Sequence, residues 1–221
     1  MKFAVFATIT CLLLVSAHAT LAEIPQGTIR SRGHEYDPLP TVDEVEFWRF
    51  QGQWYEVFRL PKSYESCEEG CIRLDYEIDT NKSLVVKTAC FSSDDQSIVS
   101  IITSIAKARN TKLTQFDYCV NGTDLCEDYE VIDLDKHYEW VLIGSNDRKG
   151  LWLLSRYIDV KPDILKAVLK KVAKLQFDTK KFVYQVNKCK KKGNVTPKQQ
   201  RMSPSKQKLI EDFYMYFAGR N

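Results

Sequence analysis

The sequence predicts an all-β fold, in which eight antiparallel strands close into a barrel and one α-helix packs outside it. Three observations lead to this prediction. Apolar and polar residues alternate through short segments, turn-forming residues separate these segments, and one later segment has a helical period. Closure into a barrel removes the exposed edges that an open eight-stranded sheet would leave.

The alternation is clearest over residues 72–78, whose apolar members share one face while Arg73, Asp75 and Glu77 share the other. Residues 79–82 supply turn chemistry before the next alternating segment, residues 84–88. Together with residues 50–57 and five further segments, these make eight strands. The further segments are residues 98–107, 113–118, 129–133, 139–143 and 151–156.

Residues 162–175 change to a helical period and predict the outer helix. Lysines occupy the face opposite its apolar stripe, as expected for a helix with one face on a sheet. The apolar stripe consists of Ile164, Leu165, Val168, Leu169, Val172 and Leu175.

The first residues are typical of a secretory signal peptide. Lys2 precedes an apolar run, and Ala17-His18-Ala19 offers small residues for cleavage, with Ala22 as the latest cleavage position. No later segment approaches the roughly 20 apolar residues of a transmembrane helix. The predicted organisation is a signal peptide over residues 1–19, an N-terminal segment over 20–40, a barrel domain over 41–190 and a basic C-terminal extension over 191–221.

The charge is unevenly distributed. Residues 180–221 carry 11 Lys/Arg and two acidic residues, a net +9 that leaves −6 for the preceding chain. Nucleic-acid binding is not predicted, because the basic cluster at residues 188–192 lacks interleaved aromatic residues in a secreted chain.

Further on, Ser203-Pro204 predicts the start of a C-terminal helix that ends at Gly219. The apolar stripe of this helix predicts that it packs on the barrel, or that it contacts a membrane surface or a protein partner. The stripe consists of Leu209, Ile210, Phe213, Tyr214 and Phe217.

Two motifs resemble those of the lipocalin family. Gly52-Gln53-Trp54 resembles its first-strand G-x-W motif, and residues 151–156 followed by Pro162 resemble its last-strand signature. The third family motif, Thr-Asp-Tyr, is matched only at Asp135. The resemblance covers residues 41–190 and is nearest to the branch of apolipoprotein D and the insect bilin-binding proteins. This branch is indicated by Tyr55-Glu56, residues 71–76 and the segment around Trp152.

The resemblance implies an eight-stranded up-and-down barrel that carries a small hydrophobic molecule. Fatty acids, sterols, retinoids and bilin pigments are the implied ligands, and no further cofactor is implied. The family also implies that Arg156 packs across the indole of Trp54 at the closed end of the barrel. This is a structural contact of about 2 kcal/mol rather than a ligand site.

A ligand-binding wall is predicted around Trp152. This residue lies four positions before Arg156 on the same inward face, roughly 13 Å farther along a strand that rises ~3.3 Å per residue. Tyr76, Thr88 and Tyr129 are expected to orient the ligand, and a solid core is the alternative. The other inward-facing residues of the predicted wall are Leu74, Val86 and Val131.

Removal of the signal peptide leaves six cysteines, which in an oxidising compartment imply three disulfides in any of about 15 connectivities. The lipocalin resemblance implies Cys71–Cys189, which ties the tail after a short last strand near residues 182–186 to the barrel. Cys119 and Cys126 flank one predicted hairpin loop and favour a bridge there. Cys67 and Cys90 then remain as the third pair.

Three N-x-S/T sequences, at Asn81, Asn121 and Asn194, lie in predicted turns or in the tail. They predict glycosylation of a secreted protein.

Catalysis is not predicted. After removal of the signal peptide only His34 and His137 remain, too few for a histidine metal cluster and poorly placed for a Ser-His-Asp arrangement. One enzymatic alternative is the thiol chemistry of the lipocalin-type prostaglandin isomerases, with Cys90 as an unpaired cavity thiol. The other alternative is a module that binds through its surface or C-terminal helix. The main prediction is a secreted, monomeric or weakly associating carrier without a metal.

Overall fold

The computed structural model describes residues 36–62, 67, 70–79, 84–185 and 188–189. The chain divides into residues 1–33, outside this described part, and residues 34–221, which contain every element below. The strands are β1 (Gly52–Arg59), β2 (Cys71–Ile78), β3 (Leu84–Phe91), β4 (Ile98–Ala108), β5 (Gln115–Val120), β6 (Cys126–Leu134), β7 (Trp140–Gly144), β8 (Leu151–Ser155) and β9 (Val183–Tyr184).

The first eight strands form a closed antiparallel barrel. Each strand from β2 to β7 pairs with the next, and β1 closes the sheet by pairing with both β2 and β8. The short β9 pairs with Phe58 and Arg59 of β1. The eight-stranded barrel predicted from the alternating segments is therefore confirmed.

The predicted outer helix is also confirmed, as α2 (Pro162–Lys174). Pro162 occupies the first turn, where its missing N–H has no helical partner to lose, and Lys171 and Lys174 lie in the last turn, where their charge opposes the helix dipole. Val168 and Val172 are its buried residues. A four-residue helix, α1 (Phe47–Phe50), precedes β1, and a 3₁₀ turn covers Thr179–Lys181.

The two larger apolar cores of the described residues follow from the alternation of side chains along the strands. One fills the barrel, and the other lies between the barrel and α2. Along β8, Trp152 and Leu154 belong to the inner core, whereas Leu151 and Leu153 belong to the outer one. The helix thus covers a face that would otherwise be exposed and apolar.

The start of the fifth strand differs from the prediction. Leu113 was expected to begin it, but Leu113 lies in a turn with φ of 57°, and β5 begins at Gln115. The Asn110 side-chain oxygen accepts a hydrogen bond from the Thr114 N–H at 3.0 Å, which curls the chain before the strand. Leu113 still packs in the inner core, 1% exposed, but from the turn.

Several predicted features lie outside the described residues: the signal peptide, the C-terminal helix, Asn81 and Asn194. Asn121 is exposed in the turn between β5 and β6. Within the described part of the chain, no helix has both the length and the apolar character needed to cross a membrane.

Candidate ligand-binding site

The barrel interior contains the aromatic residues that the sequence analysis placed there. Trp152 and Tyr129 are each 5% exposed and Tyr76 is 1% exposed. Leu74, Val86 and Val131 belong to the same inner core, and Thr88 borders a cavity beside them. The period-2 alternation of β2, β3, β6 and β8 is what brings these side chains together.

Two small cavities lie among these side chains. One, of about 10 Å3, is next to Tyr76, Tyr129 and Val131, with Phe47 and Phe50 of α1 on its border. The other, of about 30 Å3, is next to Trp152 and is lined by Glu56, Leu74, Thr88, Ile102, Ser104, Tyr118, Tyr129 and Trp152. One water needs about 10–15 Å3, so the smaller space is about the size of one water and the larger about the size of two, far less than a lipid or pigment requires.

The expected ligand-sized cavity is therefore filled in this conformation by its own aromatic wall. The rings of Tyr118 and Tyr129 stack with centroids 4.9 Å apart, and Tyr129 meets Trp152 at 5.5 Å. The hydroxyls of Tyr76 and Tyr129 are hydrogen-bonded at 2.8 Å. Side chains large enough to form a wide wall are also large enough to meet across the barrel. The same burial, with the nearby Tyr118, raises the pKa of Tyr76 well above its ordinary value.

A buried ion pair, Glu56–Arg59, lies in the inner wall and was missed by the sequence analysis. Arg59 Nη1 donates to Glu56 Oε1 at 2.7 Å, and the two residues are 1% and 2% exposed. A β-bulge between Glu56 and Phe58 brings them to the same face. Val57 and Phe58 both pack in the outer core as a result, and Arg59 pairs with the inward-facing Trp152. Strict alternation would have placed Glu56 and Arg59 on opposite faces.

A second polar group borders the larger cavity. Ser104 of β4 is fully buried, and its hydroxyl has no hydrogen-bond partner among the described residues. In the strand register Ser104 pairs with Val86 of β3, and Ile102 pairs with Thr88. Thr88 therefore lies diagonally opposite Ser104 on the neighbouring strand. Ser104 shares the inward phase of Ile102 and Ala106, a signal that the sequence analysis did not use.

Arg156 and Trp54 lie together at the end of the barrel next to α1. The Arg156 guanidinium carbon is 3.8 Å from the Trp54 ring centroid. Its Nη1 donates to the Gln53 carbonyl at 2.7 Å, and its Nη2 lies 2.8–3.0 Å from the carbonyls of Arg49, Phe50 and Gln51. Burial lowers the pKa of Arg156 to about 10, so the group stays charged at neutral pH. This geometry is the structural contact that the family resemblance implies.

Another ion pair lies near Trp152. Lys62 Nζ, just beyond β1, donates to Glu127 Oε2 at 2.5 Å and lies 5.6 Å from the centroid of the Trp152 ring. Lys62 and Glu127 are each less than one-fifth exposed at the side chain. Trp152 therefore borders the larger cavity and also lies near a partly buried ion pair.

Three disulfides join the pairs that the sequence analysis favoured: Cys67–Cys90, Cys71–Cys189 and Cys119–Cys126. Because Cys90 is bonded to Cys67, the unpaired thiol that the isomerase alternative requires is missing at that position.

The residues of the turn between β6 and β7 have a structural role. Asp135 Oδ2 accepts hydrogen bonds from the backbone N–H of His137 at 2.8 Å and of Glu139 at 3.4 Å. His137 itself is exposed. No cluster of three or more His, Cys, Asp or Glu side chains that suits a metal occurs in the described part.

The barrel region matches known proteins in sequence and in fold. Residues 45–187 match the family model of the lipocalin-like domain. Lipocalin R877 of Acanthamoeba polyphaga mimivirus is 29% identical over 124 residues, which cover 52% of this chain and 69% of that protein. The outer membrane lipoprotein Blc of Escherichia coli K12 is 26% identical over 151 residues, which cover 66% of this chain and 81% of that protein. Among solved structures, insecticyanin from the tobacco hornworm Manduca sexta is similar in fold, with a TM-score of 0.50 at 19% identity over 67% of this chain and 84% of that one.

Proposed function

The chain belongs to the lipocalin family, and from this premise we propose that its barrel binds and carries a small hydrophobic molecule. The candidate ligands are a fatty acid, a sterol, a retinoid or a bilin. Within the family, the residues around Tyr55, Cys71 and Trp152 support a place in the branch of apolipoprotein D and the insect bilin-binding proteins. The proposal assigns no catalytic step and no metal to the chain.

One observation supports this function above the others: polar side chains, two of them buried, converge on a cavity in an otherwise aromatic and aliphatic interior. Glu56, Thr88 and Ser104 border the same space as Trp152. A barrel with only a solid core to build gains nothing from Ser104, because its buried hydroxyl has no hydrogen-bond partner among the described residues and such a group costs about 1–3 kcal/mol. An apolar wall with a few polar groups is the usual composition of a small-molecule site.

The ligand makes its own space by moving aromatic side chains. Displacement of the Trp152 ring joins the space beside Ser104 to the region near Lys62, where the polar contact with Glu127 has to open. Apolar area removed from water then supplies roughly 25 cal/mol per Å2 of binding free energy, from which the cost of the rearrangement is subtracted. The barrel interior therefore has to expand around its cargo.

Secretion is part of the proposal. Three disulfides are typical of proteins that fold in an oxidising compartment, and the first 19 residues have the pattern of a signal peptide. The mature chain is proposed to be a glycosylated monomer, with Asn121 exposed and suited to modification.

The test combines extraction and titration. The glycosylated full-length protein is purified from secreting cells, and bound lipids and pigments are extracted from it. The protein is then titrated with retinol and with biliverdin while tryptophan emission is followed. Fatty acids are added as competitors. We expect saturable quenching that weakens in Trp152→Phe and persists in Trp48→Phe, because Trp48 is 51% exposed. No copurified molecule, together with no quenching by any compound, would contradict a carrier function.

A second candidate function is recognition through the surface. Ile98, Val99 and Ile101 at the start of β4 are 58%, 63% and 58% exposed, an unusual density of exposed aliphatic residues. The C-terminal helix predicted from the sequence could serve the same purpose. Deletion of residues 200–221 should then abolish binding to liposomes or to a protein partner, and unchanged binding would exclude a role for that helix.

A further inference from the structure

We infer that the ion pair Glu56–Arg59, together with Ser104, makes the barrel selective for ligands that end in a hydroxyl group over ligands that end in a carboxylate. This inference rests on the proposed carrier function and specifies its ligand class. It concerns the larger cavity, which both Glu56 and Ser104 border.

The ion pair is built into the inner wall. The β-bulge in β1 brings Glu56 and Arg59 to the same side, and both side chains are about 2% exposed. Replacing a buried ion pair by apolar side chains is often neutral or stabilising. Stability alone therefore does not account for a carboxylate and a guanidinium at this place, whereas recognition of a polar group does.

The charge of the pair determines which polar group fits. Arg59 neutralises Glu56 at 2.7 Å, so the pair carries no net charge that would attract an ionised ligand. A ligand carboxylate in the cavity would face the Glu56 carboxylate in a medium of low dielectric, where like charges repel strongly. A ligand hydroxyl has no charge to desolvate and can donate a charge-assisted hydrogen bond to Glu56.

Ser104 supplies the complementary half of the site. Its Oγ is buried and without a hydrogen-bond partner among the described residues, and a serine hydroxyl both donates and accepts. A ligand hydroxyl that donates to Glu56 can accept from Ser104. A single small group thus satisfies both side chains, and Thr88 offers a further hydroxyl on the border of the same cavity.

The experiment compares ligands that differ only in this group. Dissociation constants of the full-length protein are measured for retinol and retinoic acid by tryptophan quenching, and for decanol and decanoic acid by calorimetry, at neutral pH. We expect each alcohol to bind roughly tenfold more tightly than its acid, the effect of one charge-assisted hydrogen bond.

Two variants separate recognition from a purely structural role. Glu56→Gln removes the charge that neutralises Arg59, so the preference should reverse, with weaker binding of the alcohol and stronger binding of the acid. Ser104→Ala should weaken alcohol binding about fivefold without weakening acid binding. Ser97→Ala, an exposed serine near the start of the same strand, is the matched control and should change neither constant. Circular dichroism verifies folding, and if Glu56→Gln does not fold, the wild-type ratio and Ser104→Ala carry the test.

The outcomes distinguish the two proposals. Equal affinities for alcohols and acids, or an unchanged ratio in Ser104→Ala, would overturn the selectivity while leaving the carrier function in place. Failure to bind any of the four compounds, with no native ligand extracted, would count against the carrier function itself.

Discussion

Replacing Arg156 by methionine should lower the free energy of unfolding by about 3 kcal/mol. Methionine keeps an apolar stem of similar length but removes the guanidinium that joins β8 to the chain entering β1. Nη1 donates to Gln53, while Nη2, which has two hydrogens, lies within reach of three carbonyls. About three charge-assisted bonds are therefore lost at once.

The magnitude follows from the contacts. A hydrogen bond to a charged group contributes about 1.5–3 kcal/mol, but these bonds are exposed or only partly buried, so water can replace much of the loss. If water replaces about half of the lower limit of about 1.5 kcal/mol for each of three bonds, the net loss of stability is about 2 kcal/mol. Loss of the contact with Trp54 adds about 1 kcal/mol at a partly desolvated site. For a domain of this size, about 3 kcal/mol corresponds to a melting temperature lower by about 6–12 °C.

Urea unfolding followed by tryptophan fluorescence measures the change. Arg73→Met is the control, because Arg73 lies at the same 3.8 Å from an aromatic centroid, that of Phe91, while its Nε has no hydrogen-bond partner in the described part. The control should lose about 1 kcal/mol or less. If Arg156→Met lost no more than Arg73→Met, the backbone hydrogen bonds would not be what closes this end of the barrel.

Three further predictions concern stability. Burial raises the pKa of Tyr76 above the unfolded value of 10.0, so the folded chain keeps a proton that the unfolded chain releases. The contribution of Tyr76 to stability should be constant below about pH 10 and fall above it by up to ~1.4 kcal/mol per pH unit. Urea midpoints from pH 8 to 11 should therefore fall less steeply in Tyr76→Phe than in the wild type. Equal slopes in the two proteins would contradict this. The Cys71–Cys189 disulfide closes a loop of 118 residues, whereas Cys119–Cys126 closes a loop of 7. Replacing both cysteines of a pair by alanine should therefore lower the free energy of unfolding by about 5 kcal/mol for the first pair and about 2 kcal/mol for the second. Equal losses of stability in calorimetry would refute the loop-entropy argument. Gly70→Ala should destabilise by about 1–3 kcal/mol, because the added Cβ would lie 2.5 Å from the Phe91 carbonyl oxygen and 2.7 Å from Cys67 Sγ; an unchanged melting temperature would show that the loop yields.

The strands and the inward side chains were predictable because one face of most strands is buried, and a one-residue slip would expose it. Tyr76, Tyr129 and Trp152 follow from this phase alone. Arg59 could not be placed, because the bulge in β1 reverses the phase after Glu56, and no residue in that segment marks a bulge. The four-residue α1 is too short to have a readable period.

The free volume of the barrel was also beyond prediction from sequence. Alternation says which rings face inward, but their rotamers and the stacking of Tyr118 on Tyr129 decide whether those rings line a space or fill it. Ser104 illustrates a different limit. Its inward phase was readable from β4, but the lack of a hydrogen-bond partner in the described part depends on the neighbouring strands.

Methyl resonances of the isoleucines on β4 test the central claim, binding inside the barrel, most directly. Ile101 and Ile102 are adjacent in sequence, yet Ile102 borders the larger cavity and Ile101 is 58% exposed. On saturation with retinol, the proposed function predicts large shifts for Ile102 and essentially none for Ile98 and Ile101. Shifts at Ile98 and Ile101 with an unmoved Ile102 would contradict it and place binding on the outer surface.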